Sequence, residues 1–182
     1  NNTFMTNGVS IGTSISSYQH PLVHNATIIN NTLSNCIIIF GNATNNSVTR
    51  NKLIGTTSGA YLYAFAESGS NRIWDNKFTN WYSKFAVNDT TFSPYNFYNN
   101  SVNITPGKNI IGGNWIGGNF WFDYLGTDST GDGIGDSYIP YTWGGSTLFG
   151  LSSIPVTSGD WFPLTPTSPT QNNPILNATD YP

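Results

Sequence analysis

The stretch Ile28-Ile29-Asn30-Asn31-Thr32-Leu33 gives the pattern on which the chain is built. It reads apolar, two variable residues, asparagine, one variable residue, apolar. The same order returns at 48–53, 73–78 and 97–102, and a fifth copy with a shorter period follows at 111–116. The central asparagines, at positions 31, 51, 76, 100 and 114, are separated by 20, 25, 24 and 14 residues. A period of 20–25 residues that is rich in Asn, Gly and short apolar runs predicts a solenoid.

An asparagine at a fixed place in each repeat has a physical use. It can occupy the left-handed backbone conformation that other residues avoid. Its amide can also form a ladder of hydrogen bonds with the equivalent amide one repeat away. We expect the flanking apolar residues to point inward, and we predict second strands at 36–40, 60–66 and 85–87. No segment shows a helical stripe, so the predicted fold class is all-β.

Composition narrows the function classes. The 182 residues suffice for one domain with a sizeable core. Charged residues are 8% of the chain, against about 25% in an ordinary domain. A net charge of −3 and a pI near 4.9 argue against a nucleic-acid partner. No apolar run reaches the roughly 18 residues of a membrane span. Cys36 is the single cysteine, so no internal disulfide can form and we place it in the core.

Glycosylation signals favour a location outside the cell. Nine asparagines are followed two positions later by Ser or Thr, where chance would give roughly five or six. They are Asn1, Asn25, Asn30, Asn42, Asn45, Asn88, Asn99, Asn103 and Asn177. Together with the acidic pI and the heavy use of Asn and Thr, they predict an extracellular or cell-surface glycoprotein.

A cluster of acids near the C-terminal side predicts a calcium loop. Four of the nine acidic residues fall within 117–136, and glycines alternate with the last three of them. Counted from Asp128 as position 1, an EF-hand-like loop would take its ligands from Asp128, Thr130, Asp132, the Ile134 carbonyl and Asp136, with Asp123 as a secondary ligand. Position 12 is Ile139, so the usual bidentate acid is missing. The alternative is an Asp/Gly turn whose side chains cap their own backbone.

These repeats resemble the parallel β-helix repeats of the NosD-like and carbohydrate-binding/sugar-hydrolase (CASH) superfamily. The segments 117–124, 131–136 and 160–164 are similar to the closing motif of its archaeal members, and Thr130 departs from that motif, where members often carry Asp. The resemblance covers about 25–164 and implies a right-handed parallel β-helix. Many archaeal members are secreted or surface-layer proteins, and others bind or process polysaccharide.

The resulting organisation has four parts. Residues 1–24 are predicted as an N-terminal strand or cap, 25–116 as β-helix coils, 117–164 as a calcium-loop closing cap, and 165–182 as an extended Pro-rich tail. The tail is interpreted either as a linker or as a strand, around Ile175 and Leu176, that docks on another copy of the chain.

Two classes of function remain open. The first is a structural protein, a calcium-stabilised subunit that assembles into a surface layer or filament. The second is a polysaccharide-binding module. Its candidate sugar-stacking residues, which could equally be subunit contacts, are Tyr61, Tyr63, Phe65, Trp74, Trp81 and Tyr82.

An enzyme is the least favoured reading, because no nucleophile–base pair is found and no catalytic residue is assigned. A polysaccharide lyase or hydrolase stays as the minor alternative. Arg50 and Asp75 occupy equivalent positions in neighbouring repeats, so we expect an ion pair there rather than an active site.

Overall fold

The computed structural model describes ten stretches of the chain, and every regular element within them is a β-strand. These stretches are residues 3–4, 9–12, 23–34, 38–55, 62–64, 68–79, 86–89, 95–100, 103–142 and 159–166. In chain order the strands are β1 (Thr3–Phe4), β2 (Val9–Gly12), β3 (Val23–His24), β4 (Thr27–Ile29), β5 (Thr32–Ser34), β6 (Ile38–Gly41), β7 (Ala43–Thr44), β8 (Ser47–Thr49), β9 (Lys52–Ile54), β10 (Leu62–Ala64), β11 (Arg72–Trp74), β12 (Lys77–Thr79), β13 (Val87–Asp89), β14 (Thr105–Pro106), β15 (Trp115–Ile116) and β16 (Phe120–Trp121). None of the described segments forms a helix that could cross a membrane.

The strands form three main parallel sheets, and along each sheet they follow chain order. The first sheet runs β1-β5-β9-β12-β16, the second β2-β6-β10-β13 and the third β4-β8-β11. Each strand pairs with its equivalent one repeat later, so that Leu33 lies opposite Leu53 and Leu53 opposite Phe78. We call each successive layer of these stacked strands a rung; the last rung contains β16 and Phe97, which bridges to Arg72. The predicted all-β class is confirmed, and the parallel sheets are consistent with a β-helix.

The predicted second strands are present. They correspond to β6, β10 and β13, which pair in parallel with one another in the second sheet. Cys36 and most of the aromatic residues predicted near these strands lie outside the described residues.

Two columns of buried apolar side chains flank the turn between the third and first sheets. One column is Ile28, Val48 and Ile73, and the other is Leu33, Leu53, Phe78 and Trp121. All seven side chains are at most 8% exposed. The second column ends in a ring stack, in which the Phe78 and Trp121 centroids lie 4.5 Å apart at 7°. Each buried side chain of this kind stabilises the fold by roughly 1.5–3 kcal/mol, so the inward stacking predicted from the repeat is the main source of stability.

A left-handed residue precedes each inward turn position. Asn30, Arg50 and Asp75 have φ of 59°, 58° and 53°, and they come directly before Asn31, Asn51 and Asn76. We expected the ladder asparagine itself in this conformation, and the structure places the preceding residue there. The reason is that the ladder asparagine must aim both its backbone N–H and its side-chain amide at the next rung. The left-handed residue makes the bend that allows this.

An antiparallel hairpin interrupts the rungs after residue 100. Its strands β14 and β15 pair antiparallel, outside the three main sheets. The fifth predicted repeat, 111–116, is therefore wrong, because it forms part of this hairpin and Asn114 is exposed. The fourth, 97–102, was placed one residue out of register: Phe97 pairs with Arg72 instead of Ile73, and Asn100 bonds Thr105 instead of joining a ladder.

Candidate functional site

The first ladder consists of Asn31, Asn51, Asn76 and Asn119, all at the turn between the third and first sheets. In each step both the backbone N–H and the side-chain amide donate to the Oδ1 atom of the next asparagine, over 2.9–3.1 Å. The asparagines at 51, 76 and 119 are fully buried. The ladder predicted from the repeat is confirmed at its first three members, and Asn119 is the fourth.

A second ladder, which the repeat pattern had not indicated, lies one turn before the first in the chain. It consists of Asn46, Asn71 and Asn96, joined by the same paired donations over 2.9–3.1 Å. The backbone N–H of Ala26 donates to Asn46 at its start. The signal was present in the sequence, because Asn46 and Asn71 stand five residues before Asn51 and Asn76.

The first ladder ends on the carboxylate of Asp160. One oxygen of this group accepts the Asn119 backbone N–H at 2.6 Å and the Trp121 indole N–H at 2.7 Å. The other accepts the Phe162 backbone N–H at 3.0 Å. Every step of the ladder donates in the same direction, so the last rung needs an acceptor, and a carboxyl oxygen of Asp160 meets this need.

Asp160 is fully buried, and this burial changes its chemistry. Desolvation raises the pKa of Asp160 to about 7, while its N–H donors favour the charged form and act in the opposite direction. A Cβ atom at Gly118 would lie 1.7 Å from the Asp160 carboxylate, so only glycine leaves room for this contact. The sequence did not predict that Asp160 ends the ladder or that Gly118 makes room for it, because Asp160 is 41 residues from Asn119 in sequence.

The second ladder also ends on a carboxylate, that of Asp89. Its Oδ2 atom accepts the Asn96 amide at 3.0 Å and the Tyr98 hydroxyl at 2.8 Å. Burial, with the nearby charge of Asp89, raises the pKa of Tyr98 well above its ordinary value, so this hydroxyl stays a donor. Two parallel asparagine ladders that each end on an acid are the organising feature of the described turns.

In the closing segment, Asp128 turns its carboxylate onto its own loop. It accepts the backbone N–H groups of Gly131 at 2.7 Å, Asp132 at 3.2 Å and Gly133 at 2.7 Å. Gly131 and Gly133 have φ of 75° and 89°, so glycine makes the predicted tight turns. Asp128 is 4% exposed, and its oxygens are occupied by the chain itself.

The other predicted calcium ligands also bond locally. Asp132 accepts the Ile134 backbone N–H at 2.8 Å, and burial raises the pKa of Asp132. One Asp136 oxygen accepts the backbone N–H of Ser129 at 2.7 Å and that of Thr130 at 3.1 Å. The arrangement matches the alternative considered from the sequence, an Asp/Gly turn whose carboxylates cap their own backbone.

Asp123 is separate from this loop. Its carboxylate accepts the hydroxyl of Tyr141, and burial raises the pKa of Asp123. Tyr141 packs on Trp121 with ring centroids 4.9 Å apart, so Asp123 belongs to the aromatic group that closes the second apolar column.

The ion pair predicted between neighbouring repeats is present. The Arg50 guanidinium lies 3.0 Å from the Asp75 carboxylate. Asp75 is fully buried rather than on the surface, because the hairpin covers it: the Ile110 backbone N–H donates to Asp75 at 2.6 Å, and Arg50 donates to the Lys108 carbonyl. Burial is the main influence on Asp75 and raises its pKa, against the opposing effect of these partners.

The outer side of the same turns carries most of the positive charge. Five of the six Lys and Arg residues are described, and all five lie between residues 50 and 108. They are Arg50, Lys52, Arg72, Lys77 and Lys108. Lys52 and Lys77 pair in register in the first sheet, and Lys52, Arg72 and Lys108 are exposed. We call Lys52, Arg72 and Lys77 the cationic face.

Two members of the cationic face lie over phenylalanine rings of the next rung. The Arg72 guanidinium carbon is 5.1 Å from the centre of the Phe97 ring, and Lys77 Nζ is 5.3 Å from the centre of the Phe120 ring. The two pairs are equivalent, since each joins the first residue of a strand to its partner one rung on. Phe97 is 38% exposed, and Phe122, close to Phe120 in sequence, is 55% exposed.

The predicted sugar-contact residues are mostly untested by the structure. Trp74 lies half-buried on the outer side of β11, next to Arg72. Tyr63 lies in β10, but nothing is described of its side chain, and Tyr61, Phe65, Trp81 and Tyr82 fall outside the described residues.

The comparisons with known proteins agree with this architecture. A family model described as "Periplasmic copper-binding protein (NosD)" matches residues 1–126. The match covers well over half of the 182 residues, and the chain belongs to this family. No curated protein and no solved structure matches the chain significantly. The predicted resemblance to NosD-like proteins is confirmed. The family's periplasmic description also confirms the predicted location outside the cytoplasm, extracellular or at the cell surface.

The predicted calcium cofactor is wrong. Within the described residues no three His, Cys, Asp or Glu side chains come together as a metal-binding group. The family that the chain belongs to is described as copper-binding, not calcium-binding. The physical reason lies in the loop, where the carboxylates of Asp128, Asp132 and Asp136 accept backbone N–H groups instead of converging on one centre.

Proposed function

We propose that this protein is an extracytoplasmic β-helix that binds carbohydrate on the outer side of its turns, at and beside the cationic face. The observation that supports this most is the pair of aromatic rings, Phe97 and Phe120, presented in equivalent positions on adjacent sheets under Arg72 and Lys77. Aromatic faces stack on the apolar faces of sugar rings, and the neighbouring cations can bond sugar oxygens.

The platform beneath these rings is rigid. Both ladders and both apolar columns lie directly inside the turns, and their side chains are almost entirely buried. A site built on such a backbone loses little conformational entropy when a ligand binds, which favours affinity. We also infer that the rungs wind in a right-handed β-helix, the hand that parallel strand crossovers adopt almost without exception.

Copper finds no suitable site in the described residues. It prefers imidazole, thiolate and thioether ligands, and the chain has one Cys, one Met and two His. Of these four residues only His24 is described; it is exposed, and its Nδ1 atom lies 3.0 Å from the Asn25 amide. Met5, His20 and Cys36 lie outside the described residues. We therefore derive no function from the copper in the family's description.

The predicted assembly into a surface layer or filament is not our preferred function. Stacking of one copy on the C-terminal end of another would need unpaired rung edges there. Asp160 already ends the first ladder, and Tyr141 covers Trp121 at the end of the apolar column. The tail residues Ile175 and Leu176, predicted to dock on a neighbour, lie outside the described residues.

Glycosylation stays a prediction, and the turns offer a second reason for the sequons. At Asn25, Asn30, Asn42 and Asn45 the sequon asparagine is itself left-handed, with φ between 47° and 59°. The Ser or Thr two residues later lies in a strand and is not buried. The repeat therefore favours Asn-x-Ser/Thr because of its backbone conformation alone. Mass spectrometry of the protein purified from its host, with and without glycosidase treatment, would decide which sites carry sugar.

Carbohydrate binding is tested by titrating the purified chain with a panel of neutral and acidic polysaccharides in isothermal calorimetry. We expect Phe97→Ala to weaken binding of the recognised glycan by roughly tenfold, as loss of one stacking ring would. Leu125→Ala is the matched control, because Leu125 is an exposed apolar residue of the closing segment, 62% exposed. Absence of binding to every glycan, or equal loss in the two variants, would contradict the proposal.

A further inference from the structure

We propose that the cationic face selects an anionic glycan, a polysaccharide bearing carboxylates such as a uronic-acid polymer, which Lys52, Arg72 and Lys77 bind through their charges. This inference rests on the carbohydrate-binding function proposed above and names its ligand class.

The first observation is the placement of two like charges side by side. Lys52 and Lys77 are directly paired in parallel strands of the first sheet, and both point away from the apolar column formed by Leu53 and Phe78. Neighbouring strands lie roughly 4.8 Å apart, and like charges directly opposite each other destabilise a sheet. A chain with only six Lys and Arg residues nevertheless sets two of them there.

The second observation is that no described acid neutralises this face. Among the described residues the one salt bridge joins Arg50 to Asp75, so Lys52, Arg72 and Lys77 have no carboxylate partner there. The other described acids are committed elsewhere. Asp89 and Asp160 end the two ladders, and four more lie in the closing segment.

The third observation concerns the geometry for a long ligand. Arg72 and Lys77 stand in the same rung on either side of the turn at Asp75, and Lys52 stands one rung earlier. Charges therefore extend both along the stack and across the turn, beside the rings of Phe97 and Phe120. A polymer with a charge on successive sugars can contact several of these groups at once, each contact being a charge-assisted hydrogen bond.

A glycan fits this surface better than a nucleic acid does. The whole chain carries a net charge of −3, which repels a dense polyanion beyond the face itself. The family is described as periplasmic, where nucleic acid is not the usual polymer. A sparsely charged polysaccharide needs only the local cluster and the two rings.

The test compares polygalacturonate with its fully methyl-esterified form, which keeps the sugar backbone and removes the charge. We expect the full-length chain to bind the acid and to lose at least tenfold in affinity on esterification. We also expect the affinity for the acid to fall steeply between 50 and 300 mM NaCl, because salt screens exposed charges. The double variant Lys52→Gln/Lys77→Gln should lose roughly tenfold in affinity for the acid alone.

Leu125→Glu combined with Asn114→Asp is the matched control, because it lowers the net charge by the same two units at exposed positions outside the cationic face. Equal weakening by control and test variants would overturn the inference, since only the total charge would then matter. Equal, salt-independent binding of both polymers would overturn the inference and leave carbohydrate binding standing. Binding of neither polymer nor any neutral glycan would overturn both. Equally tight binding of a DNA duplex would show a general polyanion site and overturn the glycan ligand class.

Discussion

The ladders and the Asp/Gly loop use the same kind of bond over very different distances along the chain. In the ladders, asparagine side chains accept and donate between residues 20 to 43 positions apart. In the loop, the carboxylates of Asp128, Asp132 and Asp136 accept from backbone groups two to seven positions away. The ladders therefore join rungs together, whereas the loop bonds fix only the shape of one turn. Clustering of acids in sequence is thus a weaker guide to a metal site than periodicity is to a fold.

The largest loss of stability is expected at the centre of the first ladder. Asn51 donates to Ile28, Thr49 and Asn76, accepts twice from Asn31, and is fully buried. Asn51→Ala should lower the free energy of unfolding in urea by roughly 3–5 kcal/mol, because several buried polar groups lose their partners together.

Asn114→Ala is the control for this change. Asn114 is exposed and accepts from Lys108 within the hairpin, so the loss should stay under about 0.5 kcal/mol. Similar losses in the two variants would show that the ladder contributes no more than an ordinary surface amide.

The end of the first ladder should make stability depend on pH. The pKa of Asp160 is raised from 3.8 to about 7, so between these values the folded chain holds a proton that the unfolded chain has lost. Stability should therefore fall as pH rises from about 4 to about 7 and level off above, by at most roughly 4 kcal/mol.

Urea unfolding at several pH values between 4.5 and 8.5 measures this dependence, and Asp160→Asn is the comparison. The variant should be less stable yet should lack the Asp160 contribution to the slope. Burial also raises the pKa values of Asp75, Asp123 and Asp132, so the difference between the two proteins is the relevant quantity. Identical slopes would mean that Asp160 titrates in the same range whether the chain is folded or unfolded.

Changes in the Asp/Gly loop should have a smaller and strictly local effect on stability. Asp128→Ala leaves three backbone N–H groups without their acceptor and should cost about 2 kcal/mol. Addition of millimolar calcium, or of a chelator, should move the melting temperature of the wild-type chain by less than about 1 °C, since the carboxylates are already bonded. A calcium-dependent rise that disappears in Asp128→Ala would restore the calcium site.

The smallest effect is expected at the left-handed turn residues. Asn30 has a φ of 59° and is exposed. Asn30→Ala should cost about 1 kcal/mol, whereas Asn30→Gly should be close to neutral, because glycine adopts this conformation without steric penalty. Both variants remove the same sequon, so any difference between their melting temperatures reports the backbone and not a glycan.

The sequence predicted the rungs well because stacking repeats the same contact. The repeat aligns Ile28, Val48 and Ile73 with one another. The same register brings together the ladder of Asn31, Asn51 and Asn76. It also places Arg50 beside Asp75. The second ladder was not predicted, because the repeat contains one asparagine in its pattern and Asn46 and Asn71 lie outside that pattern, five residues before Asn51 and Asn76.

The hairpin was not predicted, because it breaks the repeat interval on which the prediction of the rungs depends. It inserts between Asn96 and Asn119, so the next ladder member comes 43 residues after Asn76 instead of 25. Asn114, only 14 residues after Asn100, fits the order of residue types in the repeat but stands on the surface.

By itself the sequence determined the all-β class, the period of the rungs, the inward columns, the first ladder and the NosD-like family. Periodicity encodes these features, since each equivalent position meets its copy one rung away. Only the tertiary structure decided which acids end the ladders, that the loop carboxylates face their own backbone, and that the cations gather on one outer face. Those arrangements depend on where distant, non-repeating segments return to the stack, and no local pattern of residues specifies that path.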